Sequence, residues 1–174
     1  MNHTIKFGIY KGKTFEQLAL IDYPYLVWAS ENVNRLYQFK EHLNEIIHSL
    51  NNFVPQIRCS MTKCQNTAEY MSIALIYDYK PTPIDISVSK RFVCCDEEDC
   101  KSTMLTYEKS RLYPIRFDTL LKFPHLPRFI REDIRRVLLQ AARFEGRLTK
   151  DNVAEFFENL EARVKEPVQT LMKI

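Results

Sequence analysis

Five cysteines in a chain of 174 residues all fall between positions 59 and 100, and no other feature constrains the fold as much. Their number is odd and their spacing is paired, which in a reducing compartment points to metal ligation rather than a disulfide framework. Cys59 and Cys64 enclose four residues, as do Cys95 and Cys100, while Cys94 and Cys100 enclose five. Zinc takes four thiolates at tetrahedral corners, and two short cysteine loops brought together by β-strands supply that geometry. The residues between the pairs carry two strand-like runs, 70–77 and 84–89, rich in β-branched and aromatic side chains. Lys80-Pro81-Thr82-Pro83 separates them and can continue neither a helix nor a central strand. The expected order is knuckle, hairpin, knuckle. Four cysteine ligands leave no open coordination position, so such a site is structural.

Strand alternation over Arg91 to Cys95 places Cys94 and Cys95 on opposite faces, so only one of them joins Cys59, Cys64 and Cys100. The stretch Cys94-Cys95-Asp96-Glu97-Glu98-Asp99-Cys100 resembles the aromatic-led, five-spaced knuckle of topoisomerase-type zinc ribbons, which favours Cys94 and keeps Cys95 as the alternative. The pair of loops also looks like a treble-clef knuckle set. No histidine has ligand spacing to a cysteine: His42 and His48 lie on or beside the polar face of a helix, and His3 and His125 stand apart. The acidic run Asp96 to Asp99 reads as a solvated loop that favours the start of a following helix.

Around this centre the chain divides into three segments, giving an α+β fold. Residues 1–52 form a small hairpin-plus-helices module. A strand near Ile5-Phe7 leads into a glycine-bearing turn, Gly8 to Gly12, and a helix capped by Thr14 with Gln17 reaching back. A second helix opens near Asp22-Tyr23-Pro24, and Leu36, Phe39, Leu43, Ile46, Ile47 and Leu50 mark one face of a third over 35–50. Phe7, Phe15, Leu18 and Trp28 make a mini-core. Residues 53–110 hold the zinc-stabilised antiparallel strands. In 111–174, an irregular stretch with Pro114, Pro124 and Pro127 precedes a helix from Arg128 to Phe144 ended by Gly146, and a last helix from Thr149 to about Val164 packs against it as an antiparallel pair. Only three glycines and no Ser/Gly tract argue for a chain folded throughout. With no run of about twenty apolar residues and no apolar leader, the expectation is an intracellular protein, cytoplasmic or nuclear, with no membrane partner.

The turn Gly8-Ile9-Tyr10-Lys11-Gly12-Lys13-Thr14 has three residues between its glycines, whereas a phosphate-binding loop has four, so ATP or GTP binding is not expected. Phe7-Gly8-Ile9-Tyr10-Lys11-Gly12-Lys13-Thr14-Phe15-Glu16-Gln17-Leu18, followed by Asp22-Tyr23-Pro24-Tyr25-Leu26-Val27-Trp28, resembles the small domain at the C-terminus of exodeoxyribonuclease X-like proteins and their DUF3820 relatives. The resemblance covers about residues 1–50. Ile9 stands where a lysine is usual and Lys6 where proline is usual, and no nuclease domain precedes the module. It implies an accessory, DNA-associated module without exonuclease activity. From the residues themselves, Lys6, Lys11 and Lys13 flank glycines that would let backbone N–H groups approach a phosphate, and Tyr10 would be available for stacking.

A second basic surface is expected where Arg128, Arg131, Arg135, Arg136 and Arg143 share one helix with Glu132 and Asp133, because arginine makes bidentate phosphate contacts. The last helix carries Asp151, Glu155, Glu158 and Glu161 and would be repelled by a major groove, which argues against a helix-turn-helix. A net charge of +3 permits nucleic-acid binding without requiring it. The reading is a non-catalytic, structural-Zn2+ protein that binds nucleic acid, with DNA ahead of RNA, or acts as an adaptor. The rival is a protein-interaction subunit that docks through the C-terminal helix pair. A metal-dependent nuclease ranks third, since scattered acids such as Asp85 and Asp118 form no catalytic constellation.

Overall fold

The computed structural model describes residues 3–6, 8–73, 93–106, 111–126 and 128–161. The fold is α+β, and among the described residues six α-helices accompany a small antiparallel sheet. Two compact units divide it: Met1–Val54 with Gly146–Ile174, and Pro55–Glu145.

In the first unit a hairpin leads into α1 (Phe15–Ile21), α2 (Tyr23–Asn32), a 3₁₀ segment (Asn34–Phe39) and α3 (Lys40–Asn52). Thr4 and Thr14 bridge antiparallel, and Ile5 and Lys13 share the backbone bond next to them. Gly8 and Gly12 adopt positive φ, which gives the turn its reversal. The capping box forms as expected: Gln17 N–H donates to Thr14 Oγ1 at 3.1 Å and Thr14 N–H to Gln17 Oε1 at 3.0 Å. Asp22 closes α1 through its N–H to Leu18 O and opens α2 by accepting from Tyr25 N–H. Pro24 sits in the first turn of α2, where a missing N–H is harmless.

The expected single helix over 35–50 is interrupted. Residues 34–39 are 3₁₀ and the α-helix begins at Lys40. Leu36 and Phe39 are three apart, a spacing that suits a threefold turn as well as a 3.6-fold one, so the apolar pattern could not separate the two. Leu43, Ile46 and Leu50 are buried on one face of α3. α6 (Lys150–Glu161) packs on α1 and α3 and buries Val153, Phe156, Phe157 and Leu160. Its expected continuation to Val164 lies outside the described residues. α6 joins the core of the N-terminal helices, whereas α5, anticipated as its antiparallel partner, belongs to the other unit. Of the expected mini-core, Phe15 and Leu18 are buried, Trp28 is 52% exposed, and Phe7 lies outside the described residues.

In the second unit, β1 (Tyr70–Ile73) runs between β2 (Val93–Cys94) and β3 (Arg111–Pro114), antiparallel to both. Tyr70 pairs with Cys94 on one side and Pro114 on the other. β3 replaces part of the irregular stretch expected before the arginine helix. Pro114 ends an outer strand, where a proline's missing donor is tolerated. The expected strand at 84–89 and the proline loop before it lie outside the described residues. The acidic run is not all loop, because Glu98 and Asp99 form the first turn of α4 (Glu98–Thr106), where their charge suits the helix dipole.

α5 (Arg128–Ala141) packs on a 3₁₀ segment, Phe117–Lys122, and buries Ile130, Ile134, Val137 and Leu138. Arg143, with φ 57°, rather than Gly146, provides the left-handed residue that ends it. Phe144 N–H reaches Leu139 O and Arg143 N–H reaches Gln140 O, the bond pair of a Schellman motif.

Candidate metal centre

Four cysteines, Cys59, Cys64, Cys95 and Cys100, bring their sulfur atoms within 4.8 Å of one another and could hold a metal ion. None of the five cysteines is in a disulfide. The first loop is shaped by Cys59 N–H to Asn66 O, by Cys64 N–H to Met61 O, and by Lys63 at φ 69°. It is tied to β2 through Ser60, whose N–H donates to Val93 O and whose hydroxyl accepts from Val93 N–H. In the second loop Cys95 follows β2 directly, and Cys100 lies in the first turn of α4. Met61, Tyr70, Met104 and Leu112 pack around the sulfurs.

Cys95, not Cys94, completes the set, which corrects the preference for Cys94. Cys94 sits inside the sheet: it pairs with Tyr70, its carbonyl accepts from Glu69 N–H, and it is wholly buried. Burial, followed by the neighbouring Cys59 and Cys95 sulfurs, pushes its thiol up to about 11. Alternation then turns Cys95 to the other side, towards the first loop, with its sulfur 3.7 Å from that of Cys64. One signal for this was already in the sequence: Cys59/Cys64 and Cys95/Cys100 share the same four-residue spacing.

Against burial, which raises it, the Glu97 backbone N–H and the thiols of Cys100, Cys64 and Cys59 hold Cys95 below the usual thiol value. Cys64 likewise receives a backbone N–H, from Asn66, yet burial and the Cys95 and Cys59 thiols leave it raised. Each N–H comes from two residues beyond its sulfur, so the two loops present donors in the same way. Cys100 is pushed up by burial and then by its three thiol neighbours. Lys101 supplies positive charge beside the sulfurs. It bonds Asp96 at 3.1 Å and lies 5.9 Å from the centroid of the Tyr70 ring. Its hydrogen bond holds the Asp96 carboxyl below the usual range.

The expected nucleic-acid residues are distributed differently from the sequence reading. Lys6, Lys11 and Lys13 are exposed. The N–H groups of Lys11, Gly12 and Lys13 are all engaged within the hairpin, by Gly8 O, Ile5 O and Tyr10 O, so these three cannot cradle a phosphate. Tyr10 donates its hydroxyl to Asp22 at 2.6 Å and packs on Tyr25, 5.1 Å between centroids. Trp28, missed as a surface residue, extends this row at 5.6 Å from Tyr25.

On α5, Arg128 pairs with Glu132 at 2.8 Å and Arg136 with Asp133 at 3.3 Å. Arg131 and Arg135 are half-buried, and Arg143 lies beyond the helix end rather than on it. The face is therefore less cationic than its composition. No helix among the described residues is long and apolar enough to cross a membrane. No family model matches the chain, and no curated protein or solved structure matches it either.

Proposed function

We propose that the chain is a non-catalytic nucleic-acid-binding protein, directed at DNA, whose second unit is held together by structural zinc. The cluster of four sulfurs carries the zinc reading. A tetrahedron with bonds of about 2.3 Å has sulfur-to-sulfur edges of about 3.8 Å, and Cys64 and Cys95 stand 3.7 Å apart. An all-thiolate set selects a soft or borderline ion and closes the coordination sphere to substrate. Cys59, Cys64, Cys95 and Cys100 would hold the ion, and the ion would fix the two loops and the start of α4 against the sheet.

Support for nucleic-acid binding comes from the first unit. Lys6, Lys11 and Lys13 have no carboxylate partner among the described residues. The aromatic row ending at the exposed Trp28 lies on the same unit, and lysine beside exposed aromatic is the composition of single-strand binding surfaces. The resemblance to exodeoxyribonuclease X-associated modules points the same way. A protein-interaction subunit is the competing reading, favoured by Leu121 and Phe129, which stand exposed on the second unit.

Binding of a single-stranded oligonucleotide, followed by fluorescence anisotropy at increasing salt, tests the proposal. Affinity should fall steeply with ionic strength, and the salt slope should drop by about one for each lysine removed in Lys11→Ala and Lys13→Ala. Absence of salt-sensitive binding to any single- or double-stranded probe would transfer the assignment to the protein-interaction reading.

A further inference from the structure

Three elements of the first unit meet at His42. Glu16, in the first turn of α1, has a side chain only 9% exposed, and its Oε1 lies 2.8 Å from Nε2 of His42 on α3. A carboxylate accepts, so Nε2 carries the hydrogen and Nδ1 keeps a lone pair. The other Glu16 oxygen, Oε2, is buried without a hydrogen-bond partner among the described residues. The bond to His42 therefore fixes the imidazole against a carboxylate that water does not reach.

The free side of the imidazole faces a second acceptor. Glu45, three residues further along α3, places Oε2 3.7 Å from His42 Nδ1. Hydrogen bonds between nitrogen and oxygen end at about 3.2 Å, so a proton does not join this pair. The distance is close to the edge of about 3.0–3.4 Å that nitrogen and oxygen ligands make across one ion with bonds of about 2.1 Å. A second imidazole stands beside them. The bridge between Thr4 and Thr14 draws the N-terminal strand to the start of α1, and the His3 ring packs on Phe39 at 4.6 Å and edge-on to His42 at 5.7 Å between centroids. Two imidazoles on one ion put their centroids about 5 Å apart. No spacing in the sequence joins His3 to His42; the fold does.

We infer that His42 Nδ1, Glu45 and His3 bind a divalent transition-metal ion, with water in the remaining positions and Glu16 as the positioning residue behind His42. A histidine that ligates a metal through one nitrogen commonly donates its other N–H to a carboxylate, which fixes tautomer and ring orientation. Imidazole with carboxylate suits zinc, cobalt or nickel. Among the described residues only the cysteines already gather three or more ligand atoms, so His42 and Glu45 form the entry pair and His3 turns its ring to join them. The pair is open to solvent, with side chains 31% and 74% exposed. Such a site is weaker than four thiolates: it fills from added metal and empties on dialysis, leaving the cysteines to set the zinc content of the purified chain. It belongs to the first unit and rests on neither the zinc nor the nucleic-acid reading.

Titration of Co2+ into the full chain after incubation with zinc tests it, followed by calorimetry, absorption and two-dimensional NMR. One Co2+ per chain should bind saturably at sub-millimolar concentration, without the thiolate-to-cobalt absorption that marks entry into the cysteine cluster, and its paramagnetic shifts should centre on His3, His42 and Glu45. Glu45→Ala, at an exposed position, should weaken binding by about tenfold or more, and His3→Ala likewise. Glu16→Gln should lower the affinity about tenfold without lowering the thermal midpoint of the metal-free chain, a split that a purely structural role for Glu16 would not give. Absence of saturable binding, binding accompanied only by thiolate-to-cobalt absorption, or affinity indifferent to Glu45→Ala and His3→Ala would overturn the assignment.

Discussion

Helices α1, α2, α3 and α6 share one apolar core in the first unit, in which Phe15, Leu18, Leu26, Leu43, Leu50 and Leu160 are almost fully buried. In Pro55–Glu145, three strands of two to four described residues surround five cysteines. Short strands and loops of this kind are commonly stapled by a metal or by disulfides. The second unit has packing of its own, with Phe117, Leu120, Ile130 and Leu138 buried, and adds to it the four-sulfur cluster, so the two units should respond to different insults.

Loss of the proposed zinc should have the largest effect. A structural zinc contributes on the order of 10 kcal/mol in metal-dependent folds. Chelation, or Cys95→Ser, should abolish a stoichiometry near one zinc per chain and collapse the amide resonances of β1 to β3. Cys94→Ser should retain the zinc at lower thermal stability, because Cys94 is a packing residue. Equal zinc loss in the two variants would break the ligand assignment.

Leu43→Ala reverses the test. It removes a wholly buried side chain from the first unit and should cost about 2–5 kcal/mol in chemical denaturation. Zinc content, measured by metal analysis, should stay unchanged, and a drop in zinc would show that the units are not separable. Thr14→Ala deletes one half of the capping box and should cost about 1 kcal/mol, read as a lower urea midpoint. The smallest effect has the opposite sign. Arg143 occupies a left-handed position that costs a non-glycine residue roughly 1–2 kcal/mol, part of which glycine returns as chain entropy. Arg143→Gly should therefore raise the thermal midpoint slightly, by up to about 1 kcal/mol of stability.

Local chemistry carried further than arrangement. Thr14, Gln17 and Asp22 act through bonds to residues three or four positions away, and these were legible because such contacts need no tertiary partner. The apolar stripe of α3 was legible for the same reason, whereas its 3₁₀ beginning was not, since Leu36 and Phe39 fit either turn. Trp28 was misplaced because an aromatic at helical spacing says nothing about which face the rest of the chain will cover. The arginines of α5 looked more available than they are. Glu132 and Asp133 were visible in the sequence, but their pairing with Arg128 and Arg136 depends on the rotamers each side chain adopts on the folded helix.

The cysteines divide the question most clearly. The sequence alone determined that two cysteine pairs flank a strand-bearing stretch, that two adjacent residues compete for one place, and that alternation sends them to opposite faces. Only the tertiary structure decided which face meets the first loop, because that depends on β2 pairing with β1 and on Ser60 binding Val93. These bonds turn Cys94 into the sheet and leave Cys95 beside Cys64. Tertiary packing also assigned α6 to the N-terminal core. Apolar faces are interchangeable in sequence, and shape and chain length choose among them.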